Sequence, residues 1–413
     1  MAQPQRIRQW LSARTIATLA VISILAACTP GGRDARPGQA GPPKPVEKPT
    51  GPDEADRQKV AVLVPTTGPN AALGQSIANA ANLALLDSGN RRVRLTVYNT
   101  AGGAAAAAQR ALAEGNRLFL GPLLAPDVRA IQGMSRAANV PILTFSNDAS
   151  LAGGGTYVLG FQVDQSVERV VSFAQGRGVD RFAALVPAGA YGQRASSAMI
   201  DAVEKSGGRM TAIATFTRDT RSLTSAVRKL TGADAPAARA RVRPDGTVAR
   251  VAPETKGVPF DAVLVADSGK IALAALPVLQ KNGARGVRLL GTELWNTEPG
   301  LSRVPAMHGA WFASVPDDYF RQFASRYRSR FGGEPYRLAS LGYDSVLLVN
   351  RVAAKWQAGA PFPQAALRDS GGFAGVDGAF RFGGSGVALR ALEVQQVGAG
   401  GFNVVSPAPA SFK

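Results

Sequence analysis

Cysteine and histidine, which often provide metal ligands and nucleophiles, each occur once in the 413-residue chain, as Cys28 and His308. A single cysteine cannot form an intramolecular disulfide, and a single histidine excludes any site built from several histidines. His308 is the only base for a serine–histidine pair, but its apolar neighbours in PAMHGAWF indicate a structural residue. Acidic residues are scattered, so their spacing neither supports nor excludes a catalytic pair. We therefore predict a protein that is not an enzyme and has no metal and no cofactor.

The segment around Cys28 predicts a different use for the cysteine. Arg6, Arg8 and Arg14 precede it without an acidic residue, and residues 15–27 are uncharged. This run is too short to span a bilayer core, which takes about 20 helical residues, but it fits a secretory signal. LAAC resembles the bacterial lipobox, in which the cysteine is acylated and becomes the new N-terminus. We predict a lipoprotein signal peptide at 1–27 and lipidation of Cys28; the alternative is an incidental cysteine beside an ordinary cleavage site.

The residues after Cys28 predict where the protein is anchored. Bacterial lipoproteins with aspartate after the acylated cysteine tend to stay in the inner membrane, so Thr29 implies the outer membrane, with the protein facing the periplasm. Residues 29–58 contain seven prolines and no aromatic residue. Such a segment buries too little apolar surface to fold. We therefore predict a lipid-anchored linker at 28–58.

The charge of the chain is strongly basic, with 47 lysines and arginines against 29 acidic residues and a formal net charge of +18. For an exported protein this favours an acidic cell-wall polymer, an anionic lipid or an acidic protein face, and argues against nucleic acid. Most of the basic residues are arginine, which a GC-rich genome would explain equally well.

Strand and helix patterns alternate from residue 59 onward. VAVLVP at 60–65 is a continuous apolar run, as expected for a strand that is covered on both faces. A helical pattern follows it, and the alternation repeats to about residue 146 and again from residue 181. Short connections between such units predict parallel doubly wound sheets. The chain is also longer than a single hydrophobic core usually supports, which predicts two lobes. The predicted fold is α/β, with two doubly wound parallel-sheet lobes and a cleft between them.

The order of these segments resembles the type I periplasmic binding fold of leucine/isoleucine/valine-receptor-like proteins over residues 59–405. The segments that carry the resemblance are 60–85, 119–151, 191–208 and 375–405. It implies that the chain crosses between the lobes more than once and that the cleft closes on a ligand. We predict the first lobe at about 59–156 and 296–356, and the second at about 157–295 and 357–405.

The resemblance also implies where a ligand binds. Amino-acid receptors hold the ligand carboxylate with hydroxyls after the third and fourth strands of the first lobe, and the ammonium with an acidic group in the second. Here the loop at 121–126 has no hydroxyl, and Asp148 after the fourth strand would repel a carboxylate. We therefore predict that the amino-acid site is partly lost. The residues predicted to line a polar cleft are Thr66, Thr67, Ser146, Asn147, Tyr191, Asp267 and Glu293.

An insertion at 231–258 is long for a connection between a helix and a strand. Pro244, Asp245 and Gly246 predict a small hairpin within it. Its arginines Arg239, Arg241 and Arg243 are predicted to dock on a partner; a solvated insertion without a role is the alternative.

The function is predicted from four features together: the anchor, the linker, the basic charge and the partly lost amino-acid site. A protein with this combination resembles the outer-membrane lipoprotein activators of penicillin-binding proteins, whose globular part uses this fold. The resemblance implies that the protein docks on a peptidoglycan synthase and raises its activity, although residues 29–58 cannot hold the helical-repeat domain of some activators. The alternative is a lipid-anchored solute-binding receptor for an amino acid or another small polar ligand.

Overall fold

The computed structural model describes residues 56–234, 257–410 and 412, together with the backbone of 241–242 and 248–249. In chain order its strands are β1 (Gln58–Val64), β2 (Val93–Asn99), β3 (Leu118–Leu120), β4 (Ile142–Thr144), β5 (Thr156–Val158), β6 (Arg181–Pro187), β7 (Arg209–Phe216), β8 (Arg241–Val242), β9 (Val248–Ala249), β10 (Ala262–Val265), β11 (Arg288–Gly291), β12 (Trp311–Ser314), β13 (Phe373–Gly375), β14 (Gly378–Phe382), β15 (Ala388–Arg390), β16 (Glu393–Gly398) and β17 (Gly401–Ser406). The α-helices are α1 (Ala71–Ser88), α2 (Ala104–Ala113), α3 (Ala125–Ala137), α4 (Val163–Gln175), α5 (Ala190–Ser206), α6 (Thr220–Thr231), α7 (Gly269–Lys281), α8 (Asp318–Phe331) and α9 (Ala339–Ala353).

The first sheet has the order β2-β1-β3-β4-β5 and is parallel throughout. One face of β1 packs with residues of α1, α8 and α9, and the other face packs with residues of α2 and α3. Alternate residues of the strand therefore enter two different cores, as a continuous apolar run predicts.

The contact between α1 and α9 is close enough to depend on a glycine. A Cβ added to Gly342 would lie 2.4 Å from the backbone oxygen of Ile77. Only a residue without a side chain lets the two helices approach this closely.

The second sheet has the order β17-β16-β12-β11-β10-β6-β7, in which β16 is antiparallel to both of its neighbours and all other pairs are parallel. Residues of α4 and α5 pack on one face, and residues of α6 and α7 on the other. The predicted α/β fold of two doubly wound lobes is confirmed.

The chain crosses between the lobes three times, at residues 159–162, 315–317 and 391–392. The predicted lobe boundaries are wrong in two places. Strand β12 pairs with β11 and β16, so residues up to 314 belong to the second lobe. Residues 373–390 form a three-stranded antiparallel sheet whose aromatic side chains join the core of the first lobe. Sequence periodicity identifies a strand but not its pairing partner, so the assignment of these segments requires the tertiary structure.

The insertion contains the predicted hairpin, because β8 and β9 pair antiparallel on either side of residues 243–247. Cys28, Arg239 and Arg243 lie outside the described residues, and Arg241 is described by its backbone alone. None of the helices in the described part of the chain combines the length and apolarity that a membrane crossing requires.

Candidate functional site

The carboxyl ends of the two parallel sheets face each other across a cleft. Arg194, in the first turns of α5 in the second lobe, donates a hydrogen bond to the backbone oxygen of Asn147, which follows β4 in the first lobe. The same guanidinium donates to Gln162 Oε1 on the first crossover, at 3.3 Å. Loops at the carboxyl ends of parallel strands are the usual place for a ligand site.

A cavity of about 350 Å³ lies between the lobes, close to the crossovers. Its wall is almost entirely apolar and is formed by Leu73, Phe161, Leu294, Val315, Tyr336 and Leu338. The polar residues around it are Glu293, Asn296, Thr297, Ser314 and Arg337. Both lobes and two crossovers therefore contribute to one cavity, so its shape depends on how the lobes close.

Glu293 is the first residue of a short 3₁₀ helix, Glu293–Thr297, that follows β11. Its backbone N–H donates to Ser166 Oγ at 2.9 Å, and Tyr191 donates to its Oε1 at 3.1 Å. Its Oε2 is buried and has no hydrogen-bond partner. Burial is the main cause that raises the pKa of this carboxyl, and hydrogen bonds from its own backbone N–H, Tyr191 and Ser166 oppose the shift, as does the charge of Arg194. Burial, with the charge of Glu293, also raises the pKa of Tyr191 well above its usual value.

Asn296 provides a second unpartnered acceptor at the cavity. Its Nδ2 donates to Asp317 Oδ1 at 2.8 Å, and this carboxylate partner fixes the orientation of the side-chain amide. The amide oxygen Oδ1 is buried and has no partner. Buried polar atoms are normally hydrogen-bonded, so the two free acceptors at this cavity are positions at which a ligand would supply the missing hydrogen bonds.

Arg337, the cation that borders the cavity, is paired with the protein itself. Its Nη1 donates to the buried carboxylate of Asp377, and its Nη2 lies 3.6 Å from Asp317 Oδ1. The guanidinium carbon lies 3.9 Å from the centre of the Phe320 ring. Nε and Nη2 are buried without a hydrogen-bond partner. One guanidinium therefore faces two carboxylates and still has two buried nitrogens without an acceptor, so the site also offers hydrogen-bond donors.

A family model described as periplasmic binding protein matches residues 57–401. The chain belongs to the periplasmic binding protein family. The match covers both lobes and all three crossovers of the binding protein.

Solved structures share this fold. A leucine binding protein from Thermotoga maritima superposes with a TM-score of 0.60 at 19% identity, over 85% of this chain and 98% of the other. A substrate-binding protein of Desulfitobacterium hafniense in complex with leucine gives a TM-score of 0.63 at 16% identity, over 85% and 100%. A solute binding protein of Rhodopseudomonas palustris in complex with benzoate gives 0.59 at 16% identity, over 86% and 97%. At these identities the likeness shows the fold alone.

A curated relative from Rickettsia prowazekii, an uncharacterised protein, is 27% identical over 143 residues. The matched stretch is 34% of this chain and 38% of the relative.

Two of the predicted cleft residues of this binding protein, Tyr191 and Glu293, come together, and Glu293 borders the cavity. The other five do not border it. The Thr66 N–H and Thr67 Oγ1 bond to the side chain of Asn99, Ser146 Oγ accepts from the N–H of Asp148, the backbone oxygen of Asn147 accepts from Arg194 across the cleft, and the carboxylate of Asp267 accepts from Arg218 at 2.9 Å.

Sequence reasoning missed most of the cavity wall. The sequence could have predicted Asn296 for the site, because it stands three residues after Glu293 in a segment that follows a strand. No sequence pattern indicates the other wall residues Phe161, Val315, Tyr336 and Arg337, since they belong to irregular segments without periodicity.

Two other surface features are less suited to ligand binding, because the polar groups described there are paired within the protein. A larger groove of about 880 Å³ borders α4, α5 and residues 389–392. There Lys205 pairs with Glu168, and Arg169 donates to the Leu392 oxygen at 3.0 Å and to Ser406 Oγ at 2.6 Å. His308 precedes β12, and its Nε2 lies 2.9 Å from the Ser302 oxygen. We therefore place the candidate site in the cleft.

Proposed function

We propose that this protein is a solute-binding receptor that encloses a small organic molecule between its lobes. The observation that carries the proposal is the cavity of about 350 Å³ with the unpartnered Oε2 of Glu293 at its edge. A buried carboxylate oxygen without a donor costs free energy that a bound ligand would recover. The relatives crystallised with leucine and with benzoate support a small organic ligand in this fold.

Ligand binding should raise the melting temperature of the protein. A ligand at 100 times its dissociation constant adds about 2.7 kcal/mol to the free energy of unfolding. We expect at least one member of a panel of amino acids, aromatic and aliphatic carboxylates and primary amines to raise the melting temperature, measured by differential scanning fluorimetry.

The control for this experiment is Thr297→Trp. Thr297 borders the cavity and is exposed, so an indole at this position should obstruct the site at little cost to folding. A shift that persists in this variant would place the ligand elsewhere, and a panel without any shift would count against the receptor function.

We also propose a lipid anchor at Cys28 in the outer membrane, as the lipobox and Thr29 support. An anchored activator of a peptidoglycan synthase is the second candidate function, favoured by the same residues and by the net charge of +18. It requires the purified protein to bind and stimulate such an enzyme. The comparisons support the receptor better than the activator.

Cys28→Ala should prevent acylation and move the protein from the outer-membrane fraction to an unprocessed or soluble form. The measurement is fractionation together with mass spectrometry of the mature N-terminus. If the parent protein carries no lipid and the substitution leaves its fractionation unchanged, the anchor proposal fails.

A further inference from the structure

We propose that the end of the first lobe opposite the cleft is a docking surface for an anionic phospholipid bilayer. This surface, called the basic end below, consists of the amino ends of β1, β2 and β3 together with the carboxyl ends of α1, α2 and α9. The inference goes beyond the receptor function proposed above, because it concerns a different face of the molecule.

The topology of the first lobe collects these residues in one place. The strands of its sheet are parallel, so all of them begin at the same end. The Gln58 N–H donates to the Arg92 oxygen at 2.7 Å, and the Arg117 N–H donates to the Lys59 oxygen at 2.9 Å. Gln58 Nε2 also donates to the backbone oxygen of Trp356, just after α9. The starts of three strands and the end of this helix are therefore neighbours.

The basic end carries cations that have no acidic partner. In the part of the chain that the structure describes, no ion pair uses the exposed or half-buried side chains of Arg57, Lys59, Arg91, Arg92, Arg110 and Arg117. The acidic residues nearby in the chain are Asp56 and Glu114, with Asp53 and Glu54 just before the described residues. Asp87, at the end of α1, is paired with Arg326. The cations therefore remain in excess at this end, and an excess of one charge on a surface attracts the opposite charge.

Glu114 does not neutralise the cations beside it. Its Oε2 accepts a hydrogen bond from the Tyr98 hydroxyl at 2.6 Å, and Lys59 Nζ donates at 3.2 Å to the backbone oxygen of Glu114. Lys59 and Arg94 stand side by side in the register of β1 and β2, and both line a polar hollow of about 400 Å³. Like charges on neighbouring strands repel, so a phosphate group placed between them would stabilise this pair.

An exposed leucine favours lipid over a hydrated acidic polymer. Leu86 is 58% exposed in the last turn of α1, and the exposed residues Arg91 and Arg92 follow it in the connection to β2. Peripheral binding to an anionic bilayer combines electrostatic attraction of basic side chains with burial of apolar ones at the headgroup boundary. A hydrated polymer offers no apolar phase for Leu86. The basic end therefore matches both components of a bilayer surface.

The chain also enters the first lobe at this end. Strand β1 begins at Gln58, and the segment before it leads back to Cys28, the proposed site of the lipid anchor. A tether raises the effective concentration of the basic end at the bilayer, so individually weak contacts with headgroups suffice. The cleft lies at the carboxyl ends of the same strands, so docking through the basic end leaves it accessible to a ligand.

The test is co-sedimentation of the unlipidated chain, residues 29–413, with large unilamellar vesicles. This chain contains every described residue and lacks only the predicted signal peptide and Cys28, so its binding does not depend on the anchor. The vesicles are phosphatidylcholine alone, or phosphatidylcholine with about one-third phosphatidylglycerol as the anionic lipid. We expect at least about tenfold stronger binding to the anionic vesicles at 0.1 M salt. Binding should be lost at 1 M salt, because the Debye length falls from about 10 Å to about 3 Å.

Two charge-reversal variants locate the surface. Arg91→Glu combined with Arg92→Glu should weaken binding at least about 25-fold, since each basic residue near an anionic bilayer contributes about fivefold in affinity. The matched control is Lys281→Glu combined with Arg285→Glu. These two residues are exposed at the end of α7 in the second lobe, and neither forms an ion pair with a described residue. The control changes the net charge equally and should weaken binding less than about threefold.

Leu86→Ser tests the apolar component and should weaken binding about 3- to 10-fold, because the hydroxymethyl group gains little from the apolar phase. Melting temperatures of all variants without vesicles separate loss of binding from loss of folding.

The outcomes are distinct from those of the receptor function, because ligand titrations are made without vesicles. The inference is wrong if the chain does not sediment with anionic vesicles, if neutral vesicles bind it equally well, or if the control pair weakens binding as much as Arg91→Glu with Arg92→Glu. Binding to polyglutamate through Arg91 and Arg92, without binding to vesicles, would assign the basic end to an acidic polymer and also overturn the inference.

Discussion

Trp295→Ala should lower the free energy of unfolding by about 3–5 kcal/mol, the range measured for truncating a large buried aromatic side chain. Trp295 is 0% exposed, and its Nε1 donates to the backbone oxygen of Asp267 at 3.0 Å. Its ring packs so closely on β11 that a Cβ on Gly291 would lie 2.2 Å from it. The residue also stands within the 3₁₀ helix that carries Glu293 and Asn296, so binding of the proposed ligand should weaken with it. Urea denaturation followed by circular dichroism measures the loss.

Tyr319→Ala is the matched control, because this aromatic side chain is 60% exposed on α8 and its removal should cost less than about 0.5 kcal/mol. A cost below 1 kcal/mol for Trp295→Ala would mean that the indole does not hold the cleft segment in place.

Asp344→Asn should change how stability depends on pH. Asp344 is 0% exposed on α9, and it accepts hydrogen bonds from the N–H groups of Val376 at 2.7 Å and of Asp377 at 3.4 Å. Burial, with the charge of Asp377, raises the pKa of Asp344 to about 7, while Arg390 opposes the shift. The remaining charge in this cluster is that of Arg337, which pairs with Asp377.

The direction follows from proton binding. Between about pH 4 and 7 the folded protein keeps a proton on Asp344 that the unfolded chain has lost, so this carboxyl lowers stability as the pH rises through that window. The full effect is on the order of 4 kcal/mol, of which about 3 kcal/mol falls between pH 5 and 8. The variant lacks this carboxyl, so its stability relative to the parent should increase by that amount over pH 5–8. Urea denaturation at pH 5, 6, 7 and 8 gives the difference.

Asp261→Asn is the control with the opposite sign. The hydrogen bond from Arg181 is the main cause that lowers the pKa of Asp261, so its contribution to stability is complete above about pH 4 and is lost only as the pH falls further. This variant should show no trend relative to the parent between pH 5 and 8. A difference between Asp344→Asn and the parent that stays constant over the same range would show that Asp344 titrates normally.

The sequence by itself determined the type of fold and named two residues of the candidate site. The apolar run at 60–65 predicted a strand buried on both faces because its alternate side chains are all apolar, and β1 enters two cores. Tyr191 and Glu293 were among the seven residues predicted for the cleft; both follow strands of the second lobe, and the carboxyl ends of parallel strands lie at one edge of a sheet. Both inferences depend on local pattern, which a sequence contains.

The tertiary structure decided which lobe each late segment joins and which residues line the cavity. Strand β12 pairs on one side with β16, which lies far along the chain. The three strands of residues 373–390 pair with one another, but the core on which they pack is built from distant segments of the first lobe. Tyr336, Val315 and Phe161 reach one cavity only because crossovers and loops converge there. The unpartnered oxygen of Asn296 is likewise a property of the folded state, because it is free only after Asp317 has taken the amide nitrogen. Contacts between segments distant in sequence leave no periodic signal, so only the folded chain shows them.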